Sequence, residues 1–272
     1  KRKADLLFGR DPRIGSATTE KREIPDMIRN LFAAALLAAL CAGLITAGLQ
    51  HFRVTPLILH AETFEGDAGH SHGAEAADHD HGDAVAATEA DEPEEWAPAD
   101  GVERTAYTTL ATVLAAAGFA LVIGAVSMFA GLPITFANGF LWGIAGFVTF
   151  SLAPAYGLAP ELPGMPAADL FARQVWWVGT ALATGAACLL LAKTRAGWAF
   201  AVAIALVAIP HIIGAPAAPD EPSGVPAHLA TEFAAITLGT SLVFWLILGT
   251  VFGKLNDTFA ARTAAIPAGA AA

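Results

Sequence analysis

Charge is scarce in this chain. Only 15% of its 272 residues are Asp, Glu, Lys or Arg, against roughly 25% in a soluble domain. What charge exists is segregated, so residues 110–129 hold none, and a run of about twenty such residues crosses a hydrocarbon core of about 30 Å. That excludes an ordinary soluble domain. Cysteine is nearly absent: Cys41 and Cys188 each sit inside an apolar run without CxxC spacing, which excludes a zinc ribbon or a dithiol redox motif. Both are expected to pack as small apolar residues. There is no Walker A sequence, no HExxH and no GxSxG, so ATP hydrolysis and the common hydrolase chemistries have no carrier. The chain is expected not to be an enzyme. A net charge of -10 argues nothing about nucleic acid, because the acid is concentrated in one segment.

What is present is apolar, 55% of the chain. Reading apolar length against charge interruptions predicts an all-α, polytopic helical membrane protein of about six transmembrane helices. They lie near residues 28–50, 107–131, 136–153, 174–193, 197–214 and 229–253. The fifth contains Pro210 and is expected to kink or unwind there. Residues 1–26 are polar and irregular, and Met27 follows directly before the first span. They read as a gene-model extension or as a disordered basic arm. Residues 27–253 form the transmembrane domain, with a loop at 51–104 inside it and a disordered, alanine-rich tail at 254–272. The run at 28–50 is too long for a signal-peptide core and reads as a retained span. No internal repeat is evident.

Orientation follows from Lys and Arg. With the N-terminus inside, twelve basic residues lie on the cytoplasmic side and Arg53, Arg104 and Arg173 on the other. This asymmetry places both termini in the cytoplasm and all three acidic connections outside.

The loop carries the chemistry that stands out. Fourteen carboxylates lie from Glu62 to Glu103, and the pairs His70/His72 and His79/His81 are separated by six residues. Imidazole nitrogen and carboxylate oxygen suit divalent first-row metal ions. Histidines at i and i+2 do not share a helix face, yet a turning chain brings both to one ion, with Asp78, Asp80 or Asp83 to complete it. The alternative is a solvated loop that binds metal incidentally. A selective site is better sought at the membrane boundary, among His51, His60, Glu62, His211, His228 and Glu232. An ionisable residue near a span is costly unless it is paired or lines a cavity. His228 and Glu232 are four apart and share a helix face, where they either bind a cation or pair with each other. His211 is either a ligand or a donor to a carbonyl freed by Pro210, and His51 could be a plain interfacial residue. Trp176 and Trp177 read as interfacial anchors. Gly139, Gly143 and Gly146, with Gly179 and Gly185, suggest close helix packing.

Several longer stretches then point to a family. Gln50-His51-Phe52 and Thr55-Pro56-Leu57-Ile58-Leu59-His60-Ala61-Glu62-Thr63-Phe64-Glu65 are joined by Leu141-Trp142-Gly143-Ile144-Ala145-Gly146-Phe147 and by Pro160-Glu161-Leu162-Pro163-Gly164-Met165-Pro166. Ala172-Arg173-Gln174-Val175-Trp176-Trp177, Pro210-His211-Ile212-Ile213-Gly214-Ala215-Pro216 and Val225-Pro226-Ala227-His228-Leu229-Ala230 continue the series. In this order they resemble the CbtA family of cobalt transporter subunits over nearly all of residues 27–253. The resemblance implies a bacterial inner-membrane protein of about five spans that takes up cobalt(II) for cobalamin biosynthesis. It also implies a small, single-span, histidine-bearing partner, CbtB. The alternative function is a non-transporting membrane subunit that binds metal or delivers it to another permease. No cofactor is expected beyond a transported or bound divalent metal.

Overall fold

The computed structural model describes the backbone of residues 12–68, 98, 99 and 101–265, with side chains from residue 27 onward except 65–68 and 264. Helix α1 (Pro12–Leu49) passes through a π turn (Gln50–Val54) into α2 (Thr55–Ala68) without a break. Helix α3 (Val102–Ala130) is followed by α4 (Phe136–Phe147), which passes through a second π turn (Val148–Leu152) into the short α5 (Ala153–Gly157). The last three helices are α6 (Leu170–Lys193), α7 (Gly197–Ile213) and α8 (Ala227–Ala265). The described residues contain no strand. Helix is what the composition demands, since backbone N–H and C=O groups in hydrocarbon must be satisfied within their own segment.

Five of these helical stretches are long and apolar enough to cross a membrane, the first from Met27 to Phe64 and the last from Ala227 to Thr263. The sixth apolar helix, α7, has 17 residues, or about 25 Å at 1.5 Å per residue. The five spans implied by the resemblance and the six read from hydropathy differ by this one short helix.

Local chemistry sets several ends. Thr135 and Asn138 form a capping box that starts α4, and the Asp169 carboxylate accepts from the Ala172 N–H to start α6. Gly131 ends α3 at φ 63°, a left-handed conformation that favours glycine. Other ends differ from the hydropathy reading. The first span is helical beyond Gln50, because the polar residues there continue an apolar face: Val54 and Ala61 are buried. Helix α8 continues past Lys254 to Ala265, where a tail without structure was expected. Three of its polar side chains hold it to the bundle: Asn256 donates to the Ile134 carbonyl, Asp257 accepts from the Phe136 N–H, and Thr263 accepts from Asn30. Helix α7 runs through Pro210 to Ile213 rather than unwinding there.

Helix α8 is the centre of the bundle. Helices α1 and α4 pack along it, α3 packs on α1, and α6 packs on the second π turn and α5, with α7 laid chiefly against α6. Trp245, Leu248 and Phe252 of α8 are almost wholly buried, against Ala34, Ala35, Ala38 and Ala42 of α1 and Ala116, Ala120 and Ile123 of α3. Small residues let the backbones close up. A Cβ built on Gly139 would meet the backbone of Gly249 and Thr250, and one on Gly143 would meet that of Trp245 and Leu246, which is how helices associate where no hydrophobic drive acts between them. The expected role of the α4 glycines is realised. In α6, Gly179 faces open space instead.

At the end of the bundle where α2 stops and α3 starts, the loop end, a second apolar cluster forms. Val54, Ala61 and Phe64 pack with Leu162, Met165, Val225, Leu229 and Phe233. Opposite is the terminal end, which holds Asn30 and Thr263.

Candidate cation site

The boundary residues named from sequence all lie toward the loop end, on four different elements. Each position follows from its helix. Leu229 and Phe233 face the second apolar cluster, which turns His228 and Glu232 outward, and both are exposed. They share a face as the spacing predicts, but among the described residues no hydrogen bond or ion pair joins them. His51 and His60 are exposed on the first π turn and α2, their rings against Phe52 at 5.0 Å and Phe64 at 5.4 Å between centroids. His70, His72, His79 and His81 lie outside the described residues.

Glu62 has a strong partner that sequence spacing does not reveal. The Arg104 guanidinium, at the start of α3, donates to its two carboxylate oxygens at 2.5 and 3.4 Å. Both side chains are about one-third exposed. A cation that used Glu62 would have to compete with this contact. A second pair, Arg173 with Glu161 at 2.9 Å, lies across the start of α6.

His211 occupies a different setting. Its ring lies edge-on to Tyr156 at 5.1 Å and to Trp176 at 5.7 Å, so an imidazole is boxed by aromatic rings where α5, α6 and α7 meet. Its Nδ1 is buried with no hydrogen-bond partner among the described residues. The Pro210 carbonyl next to it is taken by the indole N–H of Trp176 at 3.1 Å. Trp176 is therefore buried and fixes α7 to α6, rather than acting as an interfacial anchor. The sequence reading missed this role, and the only signal for it was the proximity of Pro210 to an otherwise unexplained tryptophan.

No three His, Cys, Asp or Glu side chains among the described residues converge into a group that could hold a metal ion. His211 sits with α6, Glu62 with α3, and Glu232 on the exposed face of α8. The arrangement offers scattered nitrogen and carboxylate donors around one end of the bundle, with the ligand-rich histidine segment tethered between α2 and α3.

Two cavities open into the same half of the protein. One, about 440 Å³, lies between α1, α3 and α8 and is lined by Thr46, Gln50, Thr112, Thr237, Thr240 and Ser241 among others. The other, about 410 Å³, runs from Glu161 and Arg173 to Ser151, Thr237 and Ser241. Each is lined by residues of one π turn, a feature that recurs at functional sites. Sequence reading drew no attention to these hydroxyls, since Ser and Thr are unremarked in apolar helices and only the fold gathers them.

A bundle of apolar helices, five of them long enough to cross a membrane, defines a polytopic helical membrane protein. Residues 28–257 match a family described as "Probable cobalt transporter subunit (CbtA)". The chain belongs to the CbtA family, whose description makes it one subunit of a transporter and so implies a partner. No curated protein and no solved structure matches the chain.

Proposed function

We propose that this chain is the membrane-embedded subunit through which a divalent cation, cobalt(II), crosses a bacterial inner membrane toward cobalamin biosynthesis. The observation that carries this reading is the family match across residues 28–257, in a chain whose apolar helices bracket a segment rich in histidine and carboxylate. Imidazole and carboxylate are ligands that cobalt(II) accepts, although nickel and zinc accept them nearly as well. In this proposal both termini are cytoplasmic and the histidine segment is periplasmic, as the distribution of Lys and Arg supports. His70, His72, His79 and His81 collect the ion. His51, His60, Glu62, His211, His228 and Glu232 select it near the boundary. A small, single-span, histidine-bearing protein of the CbtB kind completes the transporter.

A second reading has two observations in its favour. Glu62 is engaged by Arg104, and the described residues gather no three-ligand group, as in a subunit that hands metal to another permease. Cobalt uptake into proteoliposomes separates the two. Uptake by this chain alone, or only with the small partner, supports transport; a flux of zero in both preparations overturns it and favours delivery. Reporter fusions after Arg195 and after Arg262 are expected to read cytoplasmic and one near Asp80 periplasmic. A periplasmic C-terminus would overturn the orientation.

A further inference from the structure

Two cavities meet at one helix face. Thr237 and Ser241, one turn apart on α8, line both of them. On one side the first π turn contributes Gln50, whose Oε1 accepts from the Thr112 hydroxyl at 2.9 Å. On the other the second π turn contributes Ser151, whose hydroxyl lies 2.7 Å from that of Ser241. The linings are mostly apolar, and their polar groups are chiefly the neutral side chains of Ser, Thr and Gln, with the Arg173 guanidinium at one mouth. Their single carboxylate, Glu161, sits at the loop-end mouth and is paired with Arg173. Thr46 and Thr237 also line the first cavity, and the hydroxyl oxygens of both are buried without a partner. Threonine in a helix populates two χ1 rotamers, so a single rotation exchanges methyl for hydroxyl at the cavity wall.

Below this level the bundle is closed. Phe119, Phe150, Phe244 and Trp245 form a continuous aromatic cluster, with Trp245 stacked on Phe150 at 5.5 Å and edge-on to Phe119 at 5.1 Å. The cluster is tied to the cavity wall by one bond: the Trp245 indole N–H donates to the Ser151 hydroxyl at 3.2 Å.

We infer that the two cavities that share Thr237 and Ser241 form a binding vestibule for a divalent cation that keeps its water shell. The inference rests on the transport reading above and deepens it by naming where the ion is held inside the bundle. The chemistry is specific. A bare divalent ion in a site without a free carboxylate is strongly disfavoured by desolvation. A hydrated ion presents outward-pointing water hydrogens, and these are matched by acceptors such as hydroxyl oxygens and the Gln50 carbonyl. Six waters fill about 180 Å³ at roughly 30 Å³ each, which fits within either cavity. The aromatic cluster is then the floor on which the ion waits, and Ser151 links floor to wall.

The test reads water and ion access apart from transport. In lipid nanodiscs, Thr237→Cys and Thr240→Cys are treated with a permanently positive methanethiosulfonate, and labelling is measured above that of the native chain with its Cys41 and Cys188. Leu114→Cys, on an exposed apolar position of α3, is the lipid-facing control. Both vestibule positions are expected to label faster than the control. Cobalt(II) chloride at ten times its dissociation constant is expected to slow them about tenfold, since about one-tenth of sites then stay free. Failure to label would show a dry space, and labelling that cobalt does not slow would show a water pocket that holds no ion; either overturns the inference. A flux arm adds Thr237→Val, expected to lower cobalt uptake about tenfold, while Thr237→Ser keeps the hydroxyl and most of the rate. Equal rates for the two would count against the vestibule. Cobalt protection with no flux from the wild type would instead keep the site and sink the transport reading.

Discussion

Near the terminal end, α4 and α8 meet backbone to backbone: Gly139 and Gly249 lie so close that neither has room for a Cβ. Toward the loop end, hydroxyls, an ion pair and open space come between α8 and its other neighbours, which are α1, α3, the second π turn and α6. The contrast separates two ways of holding a membrane bundle together. Backbone contact between glycines has no adjustable part and suits a fixed seal. Hydroxyl contacts and peripheral ion pairs can exchange partners at small cost, which suits an end that must admit and release a ligand. Both π turns lie on the looser side, where an α-helix has already given up its regular hydrogen bonding.

The sharpest way to break the contrast is to fill the seal. Gly139→Leu is expected to lower thermal stability in detergent by at least about 3 kcal/mol, at the upper end of overpacking penalties. Gly179→Leu on α6, which faces open space, is expected to change it by less than about 0.5 kcal/mol. Similar melting shifts for the two would show that the glycine contact is not what joins α4 to α8. An intermediate effect is expected on function at the loop end. Glu232→Gln and His211→Gln conserve size while removing a charge or a nitrogen ligand, and each is predicted to raise the cobalt concentration for half-maximal uptake about tenfold, a screened share of contact attraction. The melting temperature of Glu232→Gln, at an exposed position, should stay close to wild type. Uptake curves that superimpose on wild type would remove these residues from the selective step.

The smallest effect belongs to the peripheral ion pair. Arg104→Gln breaks its contact with Glu62, and both groups are about one-third exposed, so solvent screening limits that pair's share of the stability loss to roughly 0.2–1 kcal/mol. The same change frees the Glu62 carboxylate. If Glu62 is a cation ligand in competition with Arg104, cobalt binding measured by calorimetry should tighten; weaker binding would mean that the pair positions the carboxylate for the ion.

Most of the fold was legible because membranes impose a length rule. Charge-free runs located every long span, and the glycines of α4 announced the contact with α8. Ends were harder. Gln50, His51 and Arg53 look like the start of a loop by polarity, but the helix continues because Val54 and Ala61 still find an apolar partner in Leu162 and Val225. The same holds for Asn256, Asp257 and Thr263, polar residues whose acceptors and donors come from α1, α4 and the segment before it. For the candidate site, the chemistry of His211 and Glu62 was visible in their residue types. Their surroundings were not, because Arg104 lies 42 residues from Glu62 and Trp176 lies 34 from Pro210. No hydropathy pattern marks a π turn.

The first π turn has a bearing on how this chain tolerates change in length. A π turn carries one residue more than the α turn it replaces, and one residue corresponds to about 100° of helix rotation at 3.6 residues per turn. Between Gln50 and Val54 the first span is therefore re-phased: the stripe that faces α3 and α8 below it is resumed above it at a different angular offset. Losing one residue there would leave hydropathy, charge and span length almost untouched and would restore a regular α-helix. It would also swing Ala61 off the second apolar cluster and carry Glu62 away from Arg104. The segment behaves as an angular coupling between the membrane-buried shaft and the head that carries the histidine loop, and its residue count matters more than its composition.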